Sequence, residues 1–336
     1  MVMSGSSLTP PPICVVVIGR NEGERLTRCL ESVRAADYPV EAIQLIYVDT
    51  DSTDDSCERA RQIGATVVQI HPERPSAAAG RNAGLKVAKF DLVQFLDGDT
   101  ILNGGWLRRG VAALGDPSLA GVFGRREEMA KDASIYNFWA HHDWYGSPGP
   151  AASCGGDVLF RKQALDAVGG YDESLIAGEE MDLCHRIRAK TGLGMFAVDA
   201  SMTLHDMNMT HWRQYWRRCI RTGHAYAEVG GRYADLRRWR RARWRNLAYA
   251  ATAPIAVAGS LVLWSFWPVV LSIVLLVSAW IRNAWRMRAR LGTLRDALRY
   301  SASHYLAKTP TAIGQCSYWL RAAFKKPPQR LIEYRT

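Results

Sequence analysis

Hydrophobic residues in the first part of the chain form short runs that alternate with polar segments of helical pattern. Residues 13–18 are a continuous apolar run, which is typical of a strand covered on both faces by helices. The alternation predicts an α/β fold with a mainly parallel sheet, in which ligands bind at the carboxyl ends of the strands. Further strand-like runs lie at 44–48, 66–70 and 91–96, and apolar residues at helical spacing lie at 21–33, 55–64 and 79–89.

The hydrophobic pattern changes at residues 247–281, which contain no charged side chain. One straight helix of this length would be about 50 Å long at roughly 1.5 Å per residue, against a hydrocarbon core of about 30 Å. We expect the helix to break at residues 264–268, Trp-Ser-Phe-Trp-Pro. The segment therefore predicts a hydrophobic helical hairpin, which either spans the bilayer tightly or enters it from one side.

Charge is divided unevenly between the two parts of the chain. Within the net charge of +11, residues 1–200 hold 20 Lys/Arg against 27 Asp/Glu, and residues 201–336 hold 23 against 5. Arginines cluster at 237–245 and 282–290, on either side of the uncharged segment, so the positive-inside rule places both flanks in the cytoplasm. Residues 1–12 lack the features of a signal peptide. We therefore expect an inner or cell membrane protein whose first domain is cytoplasmic.

Two amphipathic helices are predicted beside the hydrophobic segment, near 211–228 and near 310–324. We divide the chain into a flexible N-terminus (1–12), a first domain (13–236) and a membrane-associated region (237–336). A stretch rich in arginine and tryptophan could also bind nucleic acid. The adjacent uncharged segment favours a membrane surface, so no nucleic-acid partner is expected.

An acidic motif, Asp97-Gly-Asp99, directly follows the last of the predicted strands. Two carboxylates one residue apart can hold a hard divalent cation against a diphosphate. The same three residues are also common in ordinary turns, so the motif alone does not decide between the two. The seven cysteines have no CxxC spacing, and no zinc or redox site is predicted from them.

A second acidic motif occupies residues 49–55, after the strand at 44–48. Carboxylates here could accept hydrogen bonds from a nucleobase and a ribose, or the segment could cap the next helix. Both roles can hold at once. Asp49 is the better ligand candidate because it stands at the end of the strand.

A third acidic cluster, Glu179, Glu180 and Asp182, stands at the start of a predicted helix. Acidic side chains favour the positive end of a helix, which would explain one of them. Three acids after a glycine, in a chain that already offers a metal site, are better explained by a general base.

These motifs, taken in order, resemble the inverting family-2 glycosyltransferases that have the GT-A fold and a C-terminal membrane-anchoring region. The resemblance covers residues 13–223, and the ordered set is highly specific although no single motif is decisive. The motifs that carry it are Val17–Glu22, Val48–Asp54, Gly80–Gly84, Leu96–Asp99, Gly155–Arg161, Val168–Asp172 and Gly178–Leu183.

The resemblance implies roles for individual residues. Glu180 would be the catalytic base, and because the family often has aspartate at that position, Glu179 or Asp182 could act instead. The implied metal ligands are Asp97, Asp99 and His205. The implied donor-binding residues are Asn21, Glu22, Asp49, Asp51, Arg81, Asp97, Gly155, Gly156 and Asp157. Weaker candidates for contacts with the acceptor or the diphosphate are Gln214 and Arg217.

The prediction is a hexosyltransferase-type enzyme that transfers a sugar, with inversion, from a nucleotide-sugar donor to a hydroxyl of a membrane-proximal acceptor. The acceptor would be a lipid-linked glycan, a glycolipid or a polysaccharide, and the cofactor would be Mg²⁺ or Mn²⁺. A sugar-phosphate nucleotidyltransferase would need a longer Gly-rich basic loop than residues 19–23. A non-catalytic, nucleotide-sugar-sensing GT-A domain on a membrane-surface or nucleic-acid binding protein is the alternative, which the intact acidic set disfavours.

Overall fold

The computed structural model describes residues 10–144 and 146–325. The predicted flexible N-terminus (1–12) therefore lies mostly outside the described residues. The strands are β1 (Ile13–Gly19), β2 (Ile43–Thr50), β3 (Thr66–Ile70), β4 (Leu92–Asp97), β5 (Thr100–Leu102), β6 (Leu119–Glu128), β7 (Gly149–Ala151), β8 (Val158–Arg161) and β9 (Gly194–His205). The helices are α1 (Glu24–Arg34), α2 (Ser56–Gln62), α3 (Ala77–Val87), α4 (Trp106–Ala113), α5 (Ile135–Trp144), α6 (Lys162–Val168), α7 (Glu179–Thr191), α8 (Trp212–Arg232), α9 (Arg237–Val262), α10 (Trp267–Leu291), α11 (Leu294–Leu306) and α12 (Lys308–Ala323).

The chain forms two compact units. The first runs to Met129 and includes Asp143–Leu175 and Glu179–Met207, and the second comprises Ala130–His142, Ile176–Gly178 and the chain from Asn208 onward. All nine strands belong to the first unit, and the long helices from α8 onward belong to the second.

The sheet of the first unit has the strand order β3-β2-β1-β4-β8-β6-β9-β5, and β7 pairs with the side of β9. The first four strands are parallel, as predicted. The rest of the sheet is mixed, because β8 runs antiparallel to β4 and β6, and β5 and β7 run antiparallel to β9. The α/β fold class is confirmed, and parallel pairing, which extends over β1 to β4, recurs between β6 and β9.

Strand β1 explains why its sequence is a continuous apolar run. Ile13, Val15 and Val17 belong to the core on one face of the sheet, and the alternate residues, Cys14 and Val16 among them, belong to the core on the other. Helix α3 covers the second face at very close range. A Cβ atom added to Gly84 would lie 2.2 Å from Cγ1 of Val16, so only glycine lets α3 sit this near the sheet.

The second unit is built on close helix packing. A Cβ atom on Gly223 of α8 would lie 2.0 Å from the carbonyl oxygen of Thr311, and one on Gly314 of α12 would lie 2.1 Å from that of Ile220. The two helices therefore touch backbone to backbone. Helix α8 corresponds to the amphipathic helix predicted near 211–228. On it, Tyr215 is buried, whereas Trp212 is exposed.

The uncharged segment contains two helices, as its length predicted. Helix α9 ends at Val262 and α10 begins at Trp267, with Pro268 in its first turn, so the break lies where it was expected. Trp264 lies in the connection and has a positive φ of 49°. The apolar side chains around the connection are largely exposed, and α10 is long and apolar enough to cross a membrane.

We predict that Gly84→Ala destabilises the first unit. In an ordinary helix this change stabilises by roughly 0.5–1 kcal/mol, but here the new methyl group clashes with Val16, and overpacking costs roughly 1–3 kcal/mol. Gly231→Ala in α8 is the matched control, because the nearest atom to its added Cβ lies 3.8 Å away. Thermal unfolding of both variants checks this prediction, which fails if the two have the same midpoint.

Candidate active site

The loops that carry the predicted site residues follow neighbouring parallel strands. Gly19 at the end of β1 pairs with Asp49 of β2, and Ile18 pairs with Asp97 at the end of β4. The residues that follow β1, β2 and β4 therefore meet at one edge of the sheet, which is where ligands bind in open α/β sheets.

The loops after β1 and β2 are tied together through Asn21. Its side-chain Oδ1 accepts a hydrogen bond from the backbone amide of Thr53 at 2.7 Å. Its backbone amide donates a hydrogen bond to Oγ of Ser52 at 2.9 Å. Asn21 has a positive φ of 54°, as does Asp51 at 63°. Asp51 is exposed and lies 3.0 Å from Nδ1 of His71. This arrangement leaves the Asp51 carboxylate open to a ligand.

Asp49 lies at the end of β2, as predicted, but is only 1% exposed. Its Oδ1 accepts a hydrogen bond from the Tyr47 hydroxyl at 2.9 Å, and its Oδ2 accepts one from the amide of Ser52 at 2.9 Å. The carboxylate thus holds the following loop in place. Glu22, another predicted donor ligand, forms an ion pair with Arg25 at 2.9 Å.

Arg81 of α3 joins the site residues of three elements. Its guanidinium, 2% exposed, lies 3.0 Å from Oδ1 of Asp97, 3.3 Å from Oε1 of Glu179 and 3.4 Å from Oε1 of Glu180. The ring of Tyr171 lies beneath it, 5.3 Å from the guanidinium carbon. A buried guanidinium needs such partners, so Arg81 fixes the end of β4 relative to the start of α7.

Asp97 lies between two arginines. Besides Arg81, Arg126 of β6 lies 3.4 Å from its Oδ2. Burial alone would raise the pKa of Asp97, but the two guanidinium groups outweigh it and hold that pKa below its ordinary value. The Asp97 carboxylate is therefore ionised.

Three predicted metal ligands converge. Asp97, Asp99 and His205 each offer a ligand atom within 4.8 Å of the others, and Nε2 of His205 lies 3.3 Å from Oδ2 of Asp99. His205 reaches this point because it ends β9 and pairs with Thr100 of β5, next to Asp99. Two carboxylates and one imidazole fit a divalent cation such as Mn²⁺ or Mg²⁺.

The three acids at the start of α7 are not equivalent. Asp182 is 1% exposed and accepts a hydrogen bond from Nε of Arg186 at 2.7 Å, one turn along the same helix. Burial, and next the neighbouring Glu179, raises the pKa of Glu180 to about 7 against the opposing effect of Arg81. Glu180 is also the more exposed of the two glutamates, with 21% of its side chain accessible against 6%. Such a pKa suits a general base near neutral pH.

The glycines before β8 approach the ion pair closely. A Cβ atom on Gly156 would lie 2.4 Å from Nη2 of Arg81 and 2.7 Å from Oδ2 of Asp97, whereas one on Gly155 would meet nothing nearer than 3.9 Å. Only glycine at position 156 lets the backbone pass over the Arg81–Asp97 pair.

Asp157 has a different environment from a pocket-lining residue. It is 1% exposed, its Oδ1 accepts from the amide of Asp97 at 3.0 Å, and its Oδ2 accepts from Nε of Arg126 at 3.0 Å and from the Thr203 hydroxyl at 2.7 Å. Desolvation by burial is the main cause that raises the pKa of Asp157 to about 6. Asp157 therefore supports Asp97 and Arg126, and its contact with the donor stays a prediction.

Residues 14–149 match the family model described as glycosyl transferase family 2. The chain carries a family 2 glycosyltransferase domain. Among curated proteins it is 28% identical to glycosyltransferase AglE of Haloferax volcanii, over 54% of this chain and 68% of that protein. It is 26% identical to the pre-mycofactocin glycosyltransferase of Mycobacterium tuberculosis (74% of this chain, 50% of that protein) and to the β-monoglucosyldiacylglycerol synthase of Synechocystis (70% and 51%). The chain thus spans about half the length of the latter two.

Solved structures agree with the fold of this glycosyltransferase. The mannosyltransferase PcManGT from Pyrobaculum calidifontis, in complex with GDP-Man and Mn²⁺, has a TM-score of 0.57 and 17% identity over 94% of this chain and 88% of its own. S. aureus TarS 1–349 has a TM-score of 0.52 and 16% identity, over 92% and 91%. At these identities the likeness establishes the GT-A fold alone.

Two site residues of the glycosyltransferase were missed from its sequence. Arg126 pairs with both Asp97 and Asp157, and its guanidinium carbon lies 5.4 Å from the ring centre of Trp144, whose own ring lies 4.8 Å from that of His205. For Arg126 the available signal was the run of charged residues 125–128 directly after apolar residues 119–123, because an arginine at the end of a strand needs an acidic partner.

The weak candidates Gln214 and Arg217 lie in the second unit. Oε1 of Gln214 accepts from the amides of Thr210 and His211 at 2.8 and 3.0 Å, so this side chain caps the start of α8. That cap accounts for the glutamine without an acceptor. Contact of Gln214 or Arg217 with an acceptor stays a prediction.

We predict that Gly156→Ala and Gly155→Ala differ sharply. The methyl group at position 156 would separate Arg81 from Asp97, so binding of a nucleoside diphosphate with Mn²⁺ should weaken on the order of tenfold or more. Gly155→Ala places its methyl group at an ordinary contact distance of 3.9 Å from the Arg126 guanidinium and should bind almost as the wild type. Calorimetric titration with UDP and GDP tests the pair, and equal losses in both variants would contradict it.

Proposed function

We propose that this glycosyltransferase moves a sugar from a nucleotide-sugar donor to a hydroxyl of a membrane-proximal acceptor, with inversion and with a divalent cation. The observation that carries the proposal is the convergence of Asp97, Asp99 and His205 within 4.8 Å, linked through Arg81 to Glu180. A cation site and a base held by one buried guanidinium are the two parts that a single displacement needs.

Asp97, Asp99 and His205 would hold the cation, which when bound offsets the negative charge that grows on the leaving diphosphate. Glu180 takes the proton of the acceptor hydroxyl. The hydroxyl oxygen forms its bond to the anomeric carbon as the bond from that carbon to the diphosphate oxygen breaks, so the configuration inverts. Arg81 orients Glu180 and, by its positive charge, limits how far the pKa of this base rises.

The nucleoside end of the donor is assigned to the loops after β1 and β2. Asn21 connects these loops, and Asp49 fixes the second one. Asp51, Asp54 and Asp55 of that loop are exposed, and Asp51 is the one that directly follows β2. The related solved structures contain different donors, GDP-Man in one and UDP-GlcNAc in a complex of TarS 1–349. Asp51 is therefore proposed as a contact to the ribose or base, and the base itself is left to the titration above.

The second unit supports attachment to a membrane. Exposed apolar residues surround the connection between α9 and α10, and arginines precede α9's apolar part and end α10. We propose that this hairpin enters the cytoplasmic face of the cell membrane and keeps the enzyme near its acceptor. A lipid-linked glycan, a glycolipid or a polysaccharide would be presented there.

We predict that Asp99→Asn abolishes cation-dependent activity. The amide keeps the size of the side chain but loses its negative charge, so transfer should fall on the order of 10²-fold or more and stabilisation by Mn²⁺ should disappear. Asp132→Asn on the exposed surface is the charge-matched control. Donor turnover at several Mn²⁺ and Mg²⁺ concentrations checks the assignment. If Asp99→Asn keeps the metal dependence of the wild type, Asp99 is not a metal ligand.

We predict that Glu180→Gln lowers turnover by a factor on the order of 10² to 10⁴ while leaving donor affinity near normal, because it removes only the proton acceptor. In the wild type, kcat/KM should rise with pH through about 7, since the base must lose its proton and the pKa of Glu180 is raised to about 7. Asp182→Asn should stay active. If it is the inactive variant and Glu180→Gln is not, the base is misassigned.

A further inference from the structure

A basic cavity lies within the second unit, at the base of the α9–α10 hairpin. It has a volume of about 200 Å³, which is room for several water molecules at about 30 Å³ each. Helices α9 to α12 all contribute to its wall. Its wall includes Arg245 of α9, Arg282, Asn283 and Arg286 of α10, His304 of α11 and Lys308 of α12.

The side chains that line the cavity are rich in positive charge. Arg245, Arg282, Arg286 and Lys308 line it, and none of the aspartates and glutamates that the structure describes does. Among residues 10–144 and 146–325, no carboxylate forms an ion pair with any of these four side chains. Arg245, Arg282 and Arg286 are exposed and Lys308 is half-buried, so water screens part of the repulsion among these like charges, and an anion in the cavity would reduce it further.

Two partly buried hydrogen bonds fix side chains of the cavity wall to neighbouring helices. Nζ of Lys308 donates to Oδ1 of Asn246 at 2.9 Å, and Nδ2 of Asn283 donates to Oγ of Ser301 at 2.9 Å. Asn246 and Ser301 are themselves almost fully buried. Burial lowers the pKa of Lys308 to about 8, and repulsion by the nearby Arg245 adds a smaller contribution in the same direction.

The cavity stands where both hairpin helices change from basic to apolar. Arg245 precedes the uncharged stretch that starts at Leu247, and Arg282 directly follows Ile281, which is 51% exposed. In a hairpin inserted in a bilayer, this level is that of the lipid phosphates. Three guanidinium groups and an ammonium there offer the charge and the paired donors that a phosphate accepts.

We propose that this cavity binds the phosphate group of a membrane lipid. The bound phosphate would lock α9, α10 and α12 together at the membrane surface. This site rests on the proposed membrane attachment and is independent of the sugar-transfer chemistry, since all its lining residues belong to the second unit.

The test uses the purified full chain in detergent and its Arg245→Gln/Arg282→Gln double variant. The control is Arg238→Gln/Arg241→Gln, which loses the same charge from exposed arginines outside the cavity. Native mass spectrometry measures retention of dioctanoyl phosphatidic acid, with dioctanoyl phosphatidylcholine as the zwitterionic lipid and inorganic phosphate as the soluble competitor. We expect one retained phosphatidic acid, with affinity at least on the order of tenfold weaker in the cavity variant and nearly unchanged in the control.

Equal weakening in both double variants would overturn the site, because it would mean diffuse charge attraction. Displacement of phosphatidic acid by inorganic phosphate at similar concentration would overturn the lipid assignment and leave a soluble anion as the ligand. Nucleoside diphosphate binding with Mn²⁺ verifies that the first unit of each variant is folded.

Flotation with phosphatidylcholine vesicles separates this proposal from the membrane attachment on which it rests. If the chain floats with these vesicles and phosphatidic acid is not retained, the cavity proposal alone is wrong. If the chain does not float with any vesicle, whether or not the vesicle contains phosphatidic acid, membrane attachment is wrong and the lipid site is wrong with it.

Discussion

The buried guanidinium of Arg81 is the interaction on which the site depends. A charge with 2% exposure is stable only when it is paired, and its partners come from the end of β4 and from the start of α7. The same group places the Asp97 carboxylate beside Asp99 and His205 and keeps Glu180 close by. Cation binding and proton transfer therefore share one structural support, and the positions of the two acidic motifs are coupled.

Small residues bring Arg81 to this position. Helix α3 carries it, and glycines at 80 and 84 let that helix lie against β1, where a Cβ atom would stand 3.3 Å from Ile18 and 2.2 Å from Val16. From the opposite side, Gly156 lets the backbone before β8 cover the Arg81–Asp97 pair. The close packing therefore supports the buried charges. If these elements lay further apart, water would enter and weaken each ion pair of Arg81.

The second unit solves a different physical problem. Its helices must support an apolar hairpin and a large excess of positive charge, and they do so through the backbone contact of α8 with α12 and through separation of the charges along α9 and α10. Where the charges come together, around Arg245, Arg282 and Lys308, they enclose a cavity. An arrangement that costs free energy by repulsion is understandable if an anion completes it.

The sequence by itself determined the positions of β1 to β4 along the chain, the acidic motifs at strand ends, and the break in the uncharged segment. Each of these depends on local periodicity and on residues adjacent in the chain. It did not determine which buried charges pair. Arg81 and Glu179 are 98 residues apart, and the roles of Arg126, Asp157 and Asp182 became visible only through their partners. Likewise the mixed half of the sheet and the four-helix cavity arise from contacts between distant segments, which only the tertiary structure decides.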